Sequence, residues 1–407
     1  MRDRALRAIS ECKRIAGMSE EPGRITRRFL TPPVREVHAH LRSRMDALGM
    51  TVRIDTAGNL RGMWKPPGAP NRRLVLGSHI DTVPNAGAYD GVLGVALALE
   101  WVTLAQELDL PLPIEVIAFS EEEGVRFGVP FIGSRAVAGR FDPALLALKD
   151  ANGVTLADAI REFGLDPGQI GEAALNADVL GFVEMHIEQG PVLESEGLSV
   201  AAVSGIVGQT RLTIEFRGQA NHAGTTPMNL RHDALAGAAE WIGAVESVAQ
   251  KTGGLVATVG KIEAEPNAAN VIAGTVRVSL DVRHADDRAR KSAVDSLVAQ
   301  AQIIATKRGL ALESAKQMDQ PAVPMDERLT AYMANAIAAA GLPEKQMTSG
   351  AGHDAMVMAA RLPATMLFVR SPGGVSHHPG ETVREEDVEA ALHVGRKFLE
   401  ILATAVR

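Results

Sequence analysis

The sequence predicts an α/β fold, a first domain on a mainly parallel sheet interrupted by an inserted α+β domain. Three observations point there. Apolar runs at 74–76, 114–119 and 181–187 alternate with helical patterns, as strands buried on both faces of a parallel sheet do. Near residue 209 the texture changes, because 210–216 alternates apolar and polar residues like a half-exposed antiparallel strand. At 407 residues the chain is also long for a single core, so two domains are expected.

Taken in order, residues 2–16 and 32–48 carry apolar side chains at helical spacing, among them Leu6, Ile9 and Ile15, then Val34, Val37, Leu41 and Met45. Thr31-Pro32-Pro33 suits a helix start and Gly49 a helix end. Residues 51–55 and 59–63 form a hairpin pattern around Ala57-Gly58, and Pro66-Pro67-Gly68 is a turn before a strand at 74–81. A helix at 92–108, a strand at 114–119, a helix at 155–163 and a strand at 181–187 follow. The insert, 209–322, runs strand, helix 231–252, strand 255–262, strand 275–283, helix 286–308, strand 310–315, a ferredoxin-like order. Helices at 326–340, 353–360 and 385–403 and a strand at 364–369 then complete the first domain, which occupies 1–208 and 323–407.

Composition narrows the function. With 46% hydrophobic and 22% charged residues the chain is ordinary for a globular protein, and a net charge of −7 gives no basic footprint for nucleic acid. One cysteine, Cys12, excludes an intrachain disulfide and fits a reducing compartment. The N-terminus lacks the apolar core of a secretory signal, Arg27-Arg28 lies too deep for twin-arginine export, and no apolar run approaches the ~18 residues a membrane helix needs. A cytoplasmic protein without membrane or nucleic-acid partners is expected.

The chemistry gathers where strands end. His79 closes one strand with Asp81 two residues on, near enough to hydrogen-bond the imidazole, and Asp90 follows in a Gly-rich loop. Ser120-Glu121-Glu122-Glu123-Gly124 ends the next strand, His186 the third, and Ser376-His377-His378-Pro379 comes late. Ligand crevices of such sheets lie beyond the carboxyl ends of the strands. Two imidazoles, a shared aspartate, a glutamate and a late histidine suit a two-metal site for Zn²⁺, Mn²⁺ or Co²⁺. Crowded glutamates also raise one another's pKa unless cations relieve them. His38, His40, His232 and His393 lie on helical patterns away from any motif and read as structural or surface residues.

The same residues resemble the hydantoinase/carbamoylase amidohydrolases, within the aminoacylase and carboxypeptidase superfamily of two-metal hydrolases. The resemblance covers essentially the whole chain. It rests on Gly77-Ser78-His79-Ile80-Asp81-Thr82-Val83, Glu121-Glu122-Glu123-Gly124-Val125-Arg126-Phe127, His186-Ile187-Glu188-Gln189-Gly190, Asn221-His222-Ala223-Gly224-Thr225-Thr226-Pro227-Met228, Ser349-Gly350-Ala351-Gly352-His353-Asp354-Ala355 and Ser376-His377. It implies that Asp90 bridges two divalent ions (Zn or Mn, with Co or Ni able to substitute), that Glu123 and His377 complete one, and that His79 and His186 complete the other. Peptidase relatives usually carry a carboxylate at the position of His186, so a carbamoyl-cleaving enzyme is implied. Glu122 becomes the general base and His222 an oxyanion donor, with Gln189, His222, Asn270, Arg283, Gly352 and His353 binding substrate and Asp81 supporting His79 from behind. Glu121 is left a supporting role. His377 is favoured over His378, His284 is not expected to be a ligand, and Arg370 is read equally as reaching the pocket or as a structural ion-pair partner. The implied partner is a small ureido carboxylate. Ile206-Val207-Gly208-Gln209, Pro321-Ala322-Val323-Pro324-Met325 and Ser349–Asp354 look closer to the allantoate branch than to the N-carbamoyl-L-amino acid branch. The insert resembles a lid through which such enzymes form homodimers.

Overall fold

A computed structural model describes residues 1–405. The chain divides into two compact units, Met1–Ser204 with Pro324–Arg407, and Gly205–Val323.

The first unit is built on a sheet whose strands lie in the order Thr51–Ile54, Leu60–Trp64, Ile114–Phe119, Arg73–His79, Val179–Ile187, Ala364–Val369, Val200–Ile206, with Gln346–Ser349 also pairing with the last. The four central strands are mutually parallel, and antiparallel partners flank them on both sides. Those four are buried along their whole length, which explains why they read as apolar runs. Helix Val92–Glu107 is buried on nearly every face, consistent with its Ala/Leu-rich sequence, and Arg2–Ala16, Pro32–Ala47 and Glu385–Ala405 each bury an apolar stripe. Because the central strands share a direction, their last residues emerge at one edge. His79 pairs across from Phe119, and Phe368 from His186. The strand at Arg73 stops at His79 and does not run on to Asp81, so the two side chains are placed by a loop.

The second unit has strands Ile262–Glu265, Thr275–His284, Gly208–Arg217 and Ala311–Gln320 side by side and antiparallel. Helices Ala234–Lys251 and Asp287–Arg308 pack on one face around Phe216, Leu280 and Leu297, with Trp241 Nε1 donating to the Leu297 carbonyl at 2.8 Å. Thr275–His284 alternates buried and half-buried residues, as an antiparallel strand covered on one face does, and pairs antiparallel with the alternating stretch at 210–216. One expectation needs correction. The strand expected at 255–262 is two pieces, Val256–Thr258 opposite 281–283 and Ile262–Glu265 opposite 275–278. Between them the Lys261 N–H turns to Ser279 Oγ at 2.9 Å, so the ladder is interrupted. The last strand extends to Gln320 through a register shift between Lys316 and Met318. No helix among the described residues is long and apolar enough to cross a membrane.

Candidate metal centre

Two strand ends set the centre. His79 Nδ1 lies 3.0 Å from the Asp81 carbonyl and His186 Nδ1 2.9 Å from the Ile187 carbonyl. A carbonyl oxygen only accepts, so both Nδ1 atoms carry the proton and both Nε2 atoms present lone pairs. Those Nε2 atoms face each other at 3.4 Å, and Asp90 Oδ1 sits 3.1 Å from His186 Nε2 and 3.6 Å from His79 Nε2. Asp90 Oδ1 is buried without a hydrogen-bond donor. Three lone-pair-bearing atoms converging in a buried space are mutually repulsive unless a cation or an extra proton joins them. The donor set therefore fits a divalent metal, with the fixed Nδ1–H tautomers that metal-bound histidines require.

A second group shares the same aspartate. His377 Nε2 stands 3.1 Å from Asp90 Oδ2 and 3.5 Å from Glu123 Oε1, whereas the exposed His378 turns away and accepts the Gly380 N–H. Donor atoms of His79, Asp90 and His186 all lie within 4.8 Å of one another, as do those of Asp90, Glu123 and His377 and those of His79, Glu122 and Glu123. Gln189 Nε2 donates to Asp90 Oδ2 at 3.1 Å. Backbone strain accompanies the arrangement, since Gln189 and His377 adopt φ of 59° and 55°, a left-handed conformation that non-glycine residues rarely hold. Gly91 is a close-approach glycine, because a Cβ there would stand 2.5 Å from the His79 ring.

Asp81 does more than the sequence suggests, and does it differently. Its backbone carbonyl, not its carboxylate, orients His79, with Oδ1 3.5 Å from the ring nitrogen. The carboxylate accepts the N–H groups of Glu122 and Glu123 at 2.9 and 3.0 Å, so it fixes the loop that presents both glutamates. Glu121 beside them is fully buried.

The electrostatics follow from crowding. Burial, reinforced by Glu123, Asp354 and Asp81, pushes Glu122 well above the usual carboxylate range, and burial with Asp90 lifts Glu123 to about 7. Burial opposes charge on Asp90 too, yet His186, His377 and His79 hold it well below its ordinary value. The hydrogen bond to Asp90 carries His377 to about 8. Burial works against imidazolium at His79 and His186, but Asp81 and Asp90 raise the first and Asp90 the second. Protons are thus drawn to the positions that cations suit.

The remaining expected residues are placed as follows. Gly352 is exposed and His353 buried, with its Nε2 2.8 Å from Ser349 Oγ and its ring edge-on to His186 at 4.4 Å. Burial and His186 hold His353 well below its ordinary pKa, so it is neutral. In the second unit, His222 Nδ1 accepts the N–H groups of Gly224 and Thr225 at 3.1 and 3.2 Å, which leaves Nε2 as an exposed N–H donor. Asn270 is exposed and its carbonyl accepts the Ala223 N–H at 2.9 Å. Arg283 forks onto Asp281 at 2.9 and 3.1 Å. Arg370 pairs with buried Asp387 at 2.5 and 2.8 Å, and His284 binds the Gly253 carbonyl at 3.0 Å. Reading the sequence missed Glu381, which reaches the Asp90 loop although it lies only four residues beyond His377. It also missed Glu184, which accepts from Ser78 and the Ala355 N–H beneath the histidines. An acid in the Ser-His-His-Pro-Gly-Glu stretch was the available signal for the first.

The description "Peptidase family M20/M25/M40" matches residues 75–401. An allantoate deiminase of Arabidopsis thaliana is 37% identical over 98% of this chain and 82% of its own length. An N-carbamoyl-L-amino acid amidohydrolase of Geobacillus stearothermophilus is 38% identical over 91% of this chain and 92% of its own. Among solved structures, a hydantoinase/carbamoylase-family amidase from Burkholderia multivorans superposes with a TM-score of 0.91 at 31% identity, covering 97% of both chains. With its strand-end histidines and carboxylates in one cluster and these matches along nearly its full length, the chain belongs to peptidase family M20/M25/M40.

Proposed function

We propose that the protein hydrolyses the ureido C–N bond of a small carboxylate substrate, allantoate, releasing ammonia, carbon dioxide and the free amine. The observation that carries the reading is the convergence of His79 Nε2, His186 Nε2 and the donorless Asp90 Oδ1. The allantoate relative supports the choice of substrate. His79, His186 and Asp90 would hold one divalent ion, Asp90, Glu123 and His377 a second, with Zn²⁺ or Mn²⁺ suiting the mixed nitrogen and oxygen set. When bound, the ions supply Lewis acidity and lower the pKa of water.

Glu122 has no bond that ties up its carboxylate oxygens among the described contacts, and its backbone is held by Asp81. It takes the proton of the attacking water and passes it to the leaving nitrogen, the two-step use of one carboxyl whose basicity burial raises. His222 offers Nε2–H to the oxygen that gains charge, and Arg283, with Asn270, Gln189, Gly352 and His353, orients the substrate and its carboxylate. The second unit would act as the lid and as the surface of a homodimer, supported by exposed apolar side chains there, Met228 at 77%, Ile303 at 66% and Leu230 at 62%. The lone buried cysteine supports a cytoplasmic location.

A second reading, N-carbamoyl-L-amino acid hydrolysis on the same groups, is favoured by the Geobacillus relative. One experiment separates them. Protein loaded with Mn²⁺ or Zn²⁺ is offered allantoate, several N-carbamoyl-L-amino acids and a dipeptide, and ammonia and amine release are followed. Ammonia from allantoate at the highest kcat/KM is expected, and no turnover of any ureido compound would end the proposal.

A further inference from the structure

Glu381 is 5% exposed and lies in the loop that carries His377. Its Oε1 accepts two consecutive backbone N–H groups, those of Tyr89 at 2.8 Å and Asp90 at 3.0 Å. Its Oε2 accepts from Ser376 Oγ at 3.3 Å, and the same hydroxyl lies 3.3 Å from Asp90 Oδ2. Gln189 Nε2 donates to both Ser376 Oγ and Asp90 Oδ2, at 3.2 and 3.1 Å. Asp90 is therefore gripped at its backbone by the Glu381 carboxylate, and the two carboxylates share the single proton of Ser376 Oγ. The Glu381 loop is itself closed, because the Glu381 N–H bonds the His378 carbonyl at 3.0 Å. Gly87 makes room for it, since a Cβ there would overlap the Glu381 carboxyl.

We propose that Glu381 is a positioning residue that fixes Asp90 and His377 relative to each other, with Ser376 as its second contact. The inference rests on the reading of Asp90 as a metal-binding residue and adds what sets its location. Outer partners of this kind change metal affinity by ~10–100-fold when removed, because a ligand free to wander must be ordered on binding. The carboxylate form is not required at Oε1, where only an acceptor is needed. Glu381→Gln keeps that acceptor and turns its NH₂ towards Ser376, leaving the serine proton for Asp90. Glu381→Ala keeps neither and strands two buried N–H groups.

The test compares parent, Glu381→Ala, Glu381→Gln and Ser376→Ala by counting Mn²⁺ or Zn²⁺ ions bound per chain and measuring their affinity by chelator competition, alongside kcat and KM for allantoate. Two ions are expected in the parent. Glu381→Ala should bind at least ~10-fold more weakly, Ser376→Ala less weakly, and Glu381→Gln within about threefold of the parent. Kcat should fall with occupancy and recover at saturating metal with KM unchanged, a metal-dependent recovery that a merely smaller folded fraction does not show. If Glu381→Ala does not fold, Ser376→Ala decides, because it leaves no buried backbone group stranded. Two ions bound with parental affinity in Ser376→Ala and in whichever Glu381 variants fold would overturn the positioning role. A parent that binds none would overturn the metal reading, and this inference with it.

Discussion

The histidines of the two units differ in what holds them. His79 and His186 are buried, their tautomers are set by backbone carbonyls, and their free nitrogens converge on one carboxylate. His222 in the second unit is exposed, and its ring Nδ1 accepts two N–H groups of its own loop. Groups of the first kind are preorganised and strongly coupled, so they dictate what chemistry is possible. Groups of the second kind are placed by a loop and stay adaptable, which suits the contact to the reacting oxygen proposed for His222. The carboxyls that burial pushes well above their usual range, Glu121, Glu122 and Asp354, belong to the first unit, whereas Asp319 and Glu215 of the second are lowered by paired arginines. The first pattern marks places where charge has been arranged at a cost to the isolated fold.

The sharpest attempt to break this contrast is Glu122→Gln. Its carboxylate is assigned to proton transfer alone, so kcat should fall about 10²–10⁴-fold while two ions per chain remain bound, measured by ammonia release and metal analysis. Parental turnover would move the general base elsewhere. His222→Ala comes next, with a loss of about 10²–10³-fold in kcat expected for an oxyanion donor and no change in bound metal. Loss of metal from that variant would erase the division of labour between the units.

Asp81→Ala probes the same line from the first unit. It should weaken metal binding ~10–100-fold without removing a donor atom from the cluster. Because the carboxylate holds the Glu122 and Glu123 amides while the carbonyl orients His79, the variant should disturb the ion beside Glu123 more than its neighbour. Metal titration that resolves the two sites would show it.

Much of this was legible in the sequence, and the reasons are local. The central strands announce themselves as apolar runs because both faces are covered, and each ends on its chemical residue because parallel strands share one edge. Asp90 is legible by pattern as a loop carboxylate shared by the strand-end ligands, and which ligands it joins came from the resemblance of whole motifs. Glu381 was not legible, because its work is done on an amide 291 residues away. Nor does a sequence pattern tell where a ladder is left, which is why one strand is expected at 255–262 and two pieces, 256–258 and 262–265, are found. The Asp81 carbonyl was hidden for a third reason, since backbone atoms carry no sequence label.

Arg283→Lys tests the substrate-selecting side with a smaller effect. The Arg283 fork onto Asp281 shows that its planar guanidinium can make paired bonds to a carboxylate, a geometry that a lysine ammonium cannot reproduce. KM for allantoate should rise about tenfold, the loss expected for one charge-assisted hydrogen bond, with kcat nearly unchanged. An unchanged KM would place the substrate's carboxylate against another residue.

His38 supplies the control for the whole comparison, a buried imidazole with no carboxylate partner. Both its ring nitrogens lack hydrogen-bond partners, its ring packs edge-on to Phe163 at 5.6 Å, and burial, with Arg42 and Arg35, lowers its pKa to about 3. The site histidines, equally buried, move the other way because Asp90 faces them. A folded-state value below the unfolded one near 6.5 means that the unfolded chain binds the proton first as pH drops. The stability His38 contributes is therefore complete above about 6.5 and is lost as pH falls towards about 3. The slope is at most about 1.4 kcal/mol per pH unit. His38→Leu keeps the volume and removes the titration, so it should leave turnover at neutral pH untouched and gain stability over the parent only below pH ~6.5, read as a urea midpoint difference that widens from pH 7.5 to 4.5. A difference constant across that range would mean His38 charges in the folded protein, and burial alone would then not separate structural histidines from the pair that Asp90 holds.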